Sequence, residues 1–132
     1  MAKATKAKQL TFDKENEVGL LAEMSGSLSA ADVNITGLCA YQMNKRAYFM
    51  IMTDNNAKAK RALKKIDIQA EYEPVIAVEM PNKAGEIKKV AAKLADAGID
   101  IEYTYGTAGS KRSTFCVVKT DKDAKAIKVI NK

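Results

Sequence analysis

Apolar residues along this chain switch repeatedly between two spacings, period 2 and period 3.6. In the second half, residues 75–80 form a short apolar run that stops at Pro81 and reads as a strand. Residues 85–97 carry Ile87, Val90, Ala91 and Leu94 on one helical stripe, and Gly98 is a natural stop for that helix. Residues 99–105 alternate Ile99, Ile101, Tyr103 and Tyr105 with Asp100, Glu102 and Thr104, a strand pattern. Residues 106–110 are small and Gly-rich and read as a turn, followed by a strand over 113–119 and an amphipathic helix over 121–130. The first half has the same order: a strand from Gln9, a helix from Gly19, strands from Val33 and Arg46, and a helix from Asn56. Ala59, Ala62, Leu63 and Ile66 make the stripe of that second helix, and residues 68–72 add a fourth strand.

The two halves are copies of each other. At a shift of 66 residues Asn16 falls on Asn82, Gly19 on Gly85, Leu21 on Ile87 and Met24 on Val90. The same shift places Val33-Asn34-Ile35 on Ile99-Asp100-Ile101, Arg46 on Arg112 and Phe49 on Phe115. After Phe115 one extra residue enters, and Ala57-Lys58-Ala59 repeats as Ala124-Lys125-Ala126. Each copy reads βαββαβ, the split-βαβ or ferredoxin-like order. The expected class is α+β: two tandem units, each an antiparallel sheet with helices on one face and the other face left to pack on something. The boundaries read as residues 9–72 and 73–132. The second unit lacks its fourth strand or has a very short one, because Lys132 follows soon after the last helix.

Charge adds one element. The net charge of the 132 residues is +6, and Lys3, Lys6 and Lys8 supply half of it within a segment holding no acid. Residues 1–8 have no large apolar side chain after Met1 and are expected to form a disordered basic tail. With no His there is no Ser-His-Asp triad, no Cys-His nucleophile pair and no His-based zinc site. Two Cys cannot form a four-Cys metal cluster, so no metal and no cofactor is expected. Cys39 and Cys116, isolated in apolar stretches, read as buried thiols of a reducing compartment, which points to the cytoplasm. No apolar run approaches the ~20 residues of a membrane span, and the first residues lack the apolar core of a signal peptide.

The segments Asn82-Lys83-Ala84-Gly85-Glu86-Ile87 and Ala97-Gly98-Ile99-Asp100-Ile101 resemble the signature of ACT domains. Asn16-Glu17-Val18-Gly19-Leu20-Leu21 and Ala31-Asp32-Val33-Asn34-Ile35 resemble it again, so the likeness covers residues 9–130. Val18 and Ala84 stand where that family commonly has Pro. The resemblance implies a non-catalytic regulatory or sensor module that binds a small ligand, usually a free amino acid, at an interface between domains. It implies that Asn16, Glu17, Val18, Gly19 and Leu20, with Asn82, Lys83, Ala84, Gly85 and Glu86, form two ligand loops. Asn34 and Ile35, with Asp100, Ile101 and Tyr103, then line the facing strand. The physical rationale is that helix N-terminal N–H groups favour a carboxylate, while Asp100 or Asn34 receives an ammonium group. A homodimer is expected, because open sheet faces need cover.

Plainer roles stand beside these. Asn16 and Asn82 suit turns and helix caps, Gly19 and Gly85 suit tight strand-to-helix turns, and Tyr103 with Tyr105 suits sheet packing. Glu86, Lys89 and Lys93, three and four apart, read as a solvated helix face. The alternative function is an RNA-binding module of the RRM type, which shares the βαββαβ order. Residues 45–50 have a passing likeness to its aromatic strand. Tyr48 and Phe49 are adjacent, though, and must point to opposite faces, so they cannot both stack bases. A small enzyme built on Asp100 and a lysine has no spacing rule behind it.

Overall fold

The computed structural model describes residues 1–108 and 110–132, and of Ala108 the backbone only. Its elements run β1 (Lys3–Glu15), α1 (Leu20–Ala30), β2 (Ile35–Met43), β3 (Arg46–Thr53), α2 (Asn56–Lys64), β4 (Glu71–Pro81), α3 (Glu86–Asp96), β5 (Ile101–Ala108), β6 (Ser113–Thr120) and α4 (Asp123–Ile130). The chain divides into two compact units. One is Lys8–Glu73; the other joins Met1–Ala7 to Pro74–Lys132. Each is ferredoxin-like, with antiparallel strands and two helices.

In the first unit β3 lies between β2 and β1. Side chains alternate across the pleat, so Leu10 and Phe12 share a face with Phe49 and Ile51. That face packs on Leu20, Met24 and Leu28 of α1 and on Ala59, Ala62 and Leu63 of α2. Phe12 and Phe49 stack with ring centroids 4.7 Å apart. β2 turns into β3 through Asn44 and Lys45, both at positive φ (52° and 66°), the geometry of a two-residue hairpin that follows the sheet's own twist.

The second unit places β6 between β5 and β4. Ile76, Val78, Cys116 and Val118 pack on Val90 and Leu94 of α3 and on Ala126 and Ile130 of α4. No strand follows α4. β1 is the neighbour of β4 in sheet order, and its first residues, grouped with this unit, stand where a fourth strand would. The disordered tail expected at residues 1–8 is therefore corrected. Ala4 is 2% exposed and belongs to the second core. Its N–H donates to Asn131 Oδ1 at 2.7 Å, and Asn131 Nδ2 donates back to its carbonyl at 2.9 Å. Ala2 and Ala4 are small enough to lie against that core while the lysines between and beyond them point outward, so a strand can form without a large apolar residue.

Two further expectations change. Residues 106–108, read as part of a turn, belong to β5, which continues through Ala108; Gly109, in that reading, lies outside the described residues. The extra residue of the second copy enters in the β5–β6 hairpin, before β6 rather than after Phe115. Asn16 N–H bonds Lys45 C=O and Asn82 N–H bonds Arg112 C=O, both at 2.9 Å, so Lys45 corresponds to Arg112. Phe49 then corresponds to Cys116, not to Phe115, because each lies opposite its unit's first strand, at Phe12 and at Val78.

Candidate functional site

Each signature loop leads from its unit's first strand into a helix through a glycine at φ +91°, Gly19 before α1 and Gly85 before α3. Only glycine adopts that conformation freely. Neither helix has a side-chain cap. The first N–H of each reaches back weakly, Leu20 to Glu17 C=O and Glu86 to Lys83 C=O, both at 3.4 Å. The following first-turn N–H groups have no intrahelical partner, so both helices present donors and a partial positive charge at the loop. Asn82 Nδ2 donates to Ser110 C=O at 3.1 Å, which ties the second loop to the neighbouring hairpin. Asn16, Glu17, Val18, Lys83 and Ala84 are exposed.

Asn34 and Asp100 sit just before β2 and β5 with exposed side chains. Their backbones are clamped identically. Asn34 N–H donates to Asp54 Oδ1 at 3.0 Å and Asp54 N–H donates to Asn34 C=O at 3.1 Å. Asp100 N–H donates to Asp121 Oδ1 at 3.0 Å and Asp121 N–H to Asp100 C=O at 3.2 Å. The fold does not bring Asp100 to the loop of its own unit. Ile101 pairs with Thr120 at one end of β6, while Pro81 pairs with Ser113 at the other. Seven residues of strand separate those levels, about 23 Å. Ile35 and Tyr103 are half-buried and Ile101 is 37% exposed.

A cleft of about 430 Å³ opens in the second unit. Met80 and Pro81 of β4, Lys83 of the loop and Glu86 and Ile87 of α3 line one side. Residues 104–107 of β5 and Thr114, Phe115 and Cys116 of β6 line the other. Of the residues proposed from sequence it gathers Lys83 and Glu86. It also corrects two readings of α3. Glu86 is 5% exposed, not part of a solvated face, and Ile87 is 56% exposed, not on the buried stripe. The buried stripe is Glu86, Val90 and Leu94, four apart. Glu86 Oε1 lies 3.2 Å from Lys89 Nζ and 3.9 Å from Lys83 Nζ. Burial raises the Cys116 thiol pKa, and a hydrogen bond with the Thr104 side chain opposes that in part. Gly106 was missed. A Cβ there would lie 2.5 Å from the Phe115 carbonyl oxygen and 2.6 Å from Cys116 Cβ, so the strand accepts only glycine. A lone Gly between strand residues was the available signal.

Among the described residues no three His, Cys, Asp or Glu side chains gather as a metal site. No helix among them is long and apolar enough to cross a membrane. The sequence matches the ACT domain pair family over residues 5–132. The chain belongs to that family. No curated protein matches it. Among solved structures, this ACT domain pair is similar to a protein from Bacteroides thetaiotaomicron: 28% identity, TM-score 0.89, covering 97% of this chain and 88% of that one. The ligand-free regulatory subunit of aspartate kinase from Thermus thermophilus superposes with TM-score 0.66 at 14% identity, over 97% of this chain and 94% of that one. Aspartokinase III of E. coli, in complex with aspartate and ADP, gives TM-score 0.62 at 15% identity, over 98% of this ACT pair and 31% of that chain.

Proposed function

We propose that this ACT domain pair is a non-catalytic regulatory module of the cytoplasm that binds a free amino acid and passes the binding event to a separate partner. The observation that carries this reading is the duplicated loop: a left-handed glycine opening an uncapped helix, at Gly19 and again at Gly85. Such a helix start is suited to an α-carboxylate. Asp100 and Asn34 are exposed polar groups on rigidly clamped strand starts, suited to an α-ammonium group. They stand a sheet's length from the loop of their own unit. The reading therefore takes the two halves of a site from facing units, with a second copy of the chain completing it as a homodimer. Binding would shift the population of paired arrangements. Phe49 is spent in the core against Phe12, which removes one of the two aromatics the RNA-binding alternative needs.

A thermal-shift screen against the twenty amino acids tests the proposal. A ligand at 100 times its Kd should add about 2.7 kcal/mol to stability. Asp100→Ala should weaken binding more than Asn34→Ala, because only Asp100 offers a full charge to the ammonium. No shift with any amino acid, or equal losses in both variants, would contradict the corresponding part of the reading.

A further inference from the structure

Comparing the copies position by position isolates the cleft. In the first unit Leu20, Phe12 and Phe49 are each 5% exposed or less, and Phe12 and Phe49 stack on one another. The second unit has Glu86, Val78 and Cys116 at the same places, and Thr104 and Gly106 where β2 has Leu38 and Ala40. Every one of these differences makes the second unit smaller or more polar. Hollowing a core and burying a carboxylate are both destabilising, and Glu86, Thr104, Gly106 and Cys116 all line one cleft. The helix N-terminus favours the Glu86 charge, and Lys83 and Lys89 reach it from the rim with side chains 68% and 69% exposed. Lysines that exposed can return to water at little cost when another cation arrives. The result is a concave, mainly apolar space with one convergent charged group, the usual form of a small-molecule site.

We infer that this cleft, lying within the second unit, binds a small molecule with an apolar body and a primary ammonium group, with Glu86 as counter-ion. The body lies against Met80 and Ile87, with Thr104, smaller than the Leu38 of the first unit, leaving it room. This site shares Lys83 and Glu86 with the second loop of the reading above but uses neither Asp100 nor Asn34, so the two can fail separately.

The test uses the whole chain and three probes of one shape: phenethylamine, phenylalanine and 3-phenylpropanoate. Binding is followed by calorimetry and by amide chemical shifts. Phenethylamine binding is the expected result, with shifts centred on Thr104, Gly106 and Thr107. Phenylalanine binding in addition identifies the source as an amino acid; its failure identifies a free amine. The carboxylate-only probe should not bind. Glu86→Gln should weaken the amine by about tenfold or more. Thr104→Leu, which installs the first unit's residue, should abolish binding while the protein stays folded. The inference is overturned if phenethylamine does not bind, if 3-phenylpropanoate binds equally well, or if Glu86→Gln has no effect. Phenylalanine and phenethylamine binding both untouched in Glu86→Gln, with phenylalanine binding lost in Asp100→Ala, would overturn the cleft and leave the loop-and-strand reading standing.

Discussion

The clamp between Ala4 and Asn131 gives a sharp test of how the second unit is held together. Asn131→Ala removes two hydrogen bonds, of 2.7 and 2.9 Å, and leaves the backbone N–H and C=O of Ala4 without these partners. Each such bond is worth about 0.5–1.5 kcal/mol net. The site is half-buried, so water recovers part of the loss, and the expected destabilisation is about 2 kcal/mol. For a chain of this size that is a fall in Tm of roughly 6–10 °C. Asn131→Asp keeps the acceptor for Ala4 N–H but sets a carboxylate oxygen against the Ala4 carbonyl where Nδ2 donated, so it should cost at least as much. Removing residues 1–7 should cost more than either, because it uncovers β4 and the Ala4 contact with the core. The decisive measurement is the double variant. If residues 1–7 act through Asn131, adding Asn131→Ala to the truncated chain should cost less than about 0.5 kcal/mol. Full additivity, or a truncated chain that melts with the intact one, would refute this account of β1.

Three other perturbations have definite signs. Gly106→Ala should destabilise by about 1–3 kcal/mol in chemical denaturation, because its Cβ meets backbone of β6, whereas Gly26→Ala in α1, with nothing within 4 Å, should stabilise by up to about 1 kcal/mol. Asp32→Gly should be neutral or slightly stabilising and Gly98→Ala should cost about 1 kcal/mol by the same assay, since these corresponding helix ends sit at φ 58° and 69°. Burial would raise the Asp123 pKa, but hydrogen bonds from the Thr120 hydroxyl and N–H, with the charge of Lys119, outweigh it and hold it below the ordinary carboxylate value. Its stabilisation is thus complete above the unfolded-state pKa, about 3.9, and is lost as pH falls through the lower folded value. Asp123→Asn should therefore destabilise by about 1 kcal/mol near pH 7, with the gap to the parent closing below about pH 4 in pH-dependent melts.

Much of this fold was legible because it is written twice. Leu20, Met24 and Leu28 repeat as Glu86, Val90 and Leu94, and Gly19 repeats as Gly85, so periodicity and turn chemistry agreed in both copies. Errors arose where the copies diverge. Glu86 read as a surface residue because charge outweighed its place on the buried stripe. Phe49 and Phe115 were matched by identity, although the hairpin insertion had already moved the register. Residues 1–8 gave no apolar signal, because Ala2 and Ala4 bury little side chain and the strand is held by backbone bonding, which composition does not report. The signature loops were readable as helix starts, while the cleft was not, since it depends on which side chains are missing from a face rather than on any motif.

One strand serves both units: residues 3–7 of β1 complete one and residues 8–15 belong to the other. Cutting the chain between Glu73 and Pro74 therefore does not separate two whole modules; it strips the second of its edge and leaves the first with a dangling strand. The contact between Ala4 and Asn131 spans 127 positions, so closing it costs more chain entropy than a contact between near neighbours. A rearranged chain that begins at Lys8 and carries Met1–Ala7 after Lys132 would turn that closure into a local one. Each βαββαβ unit would then be continuous in sequence, and the rearranged chain should fold faster than the natural order while keeping the same two cores.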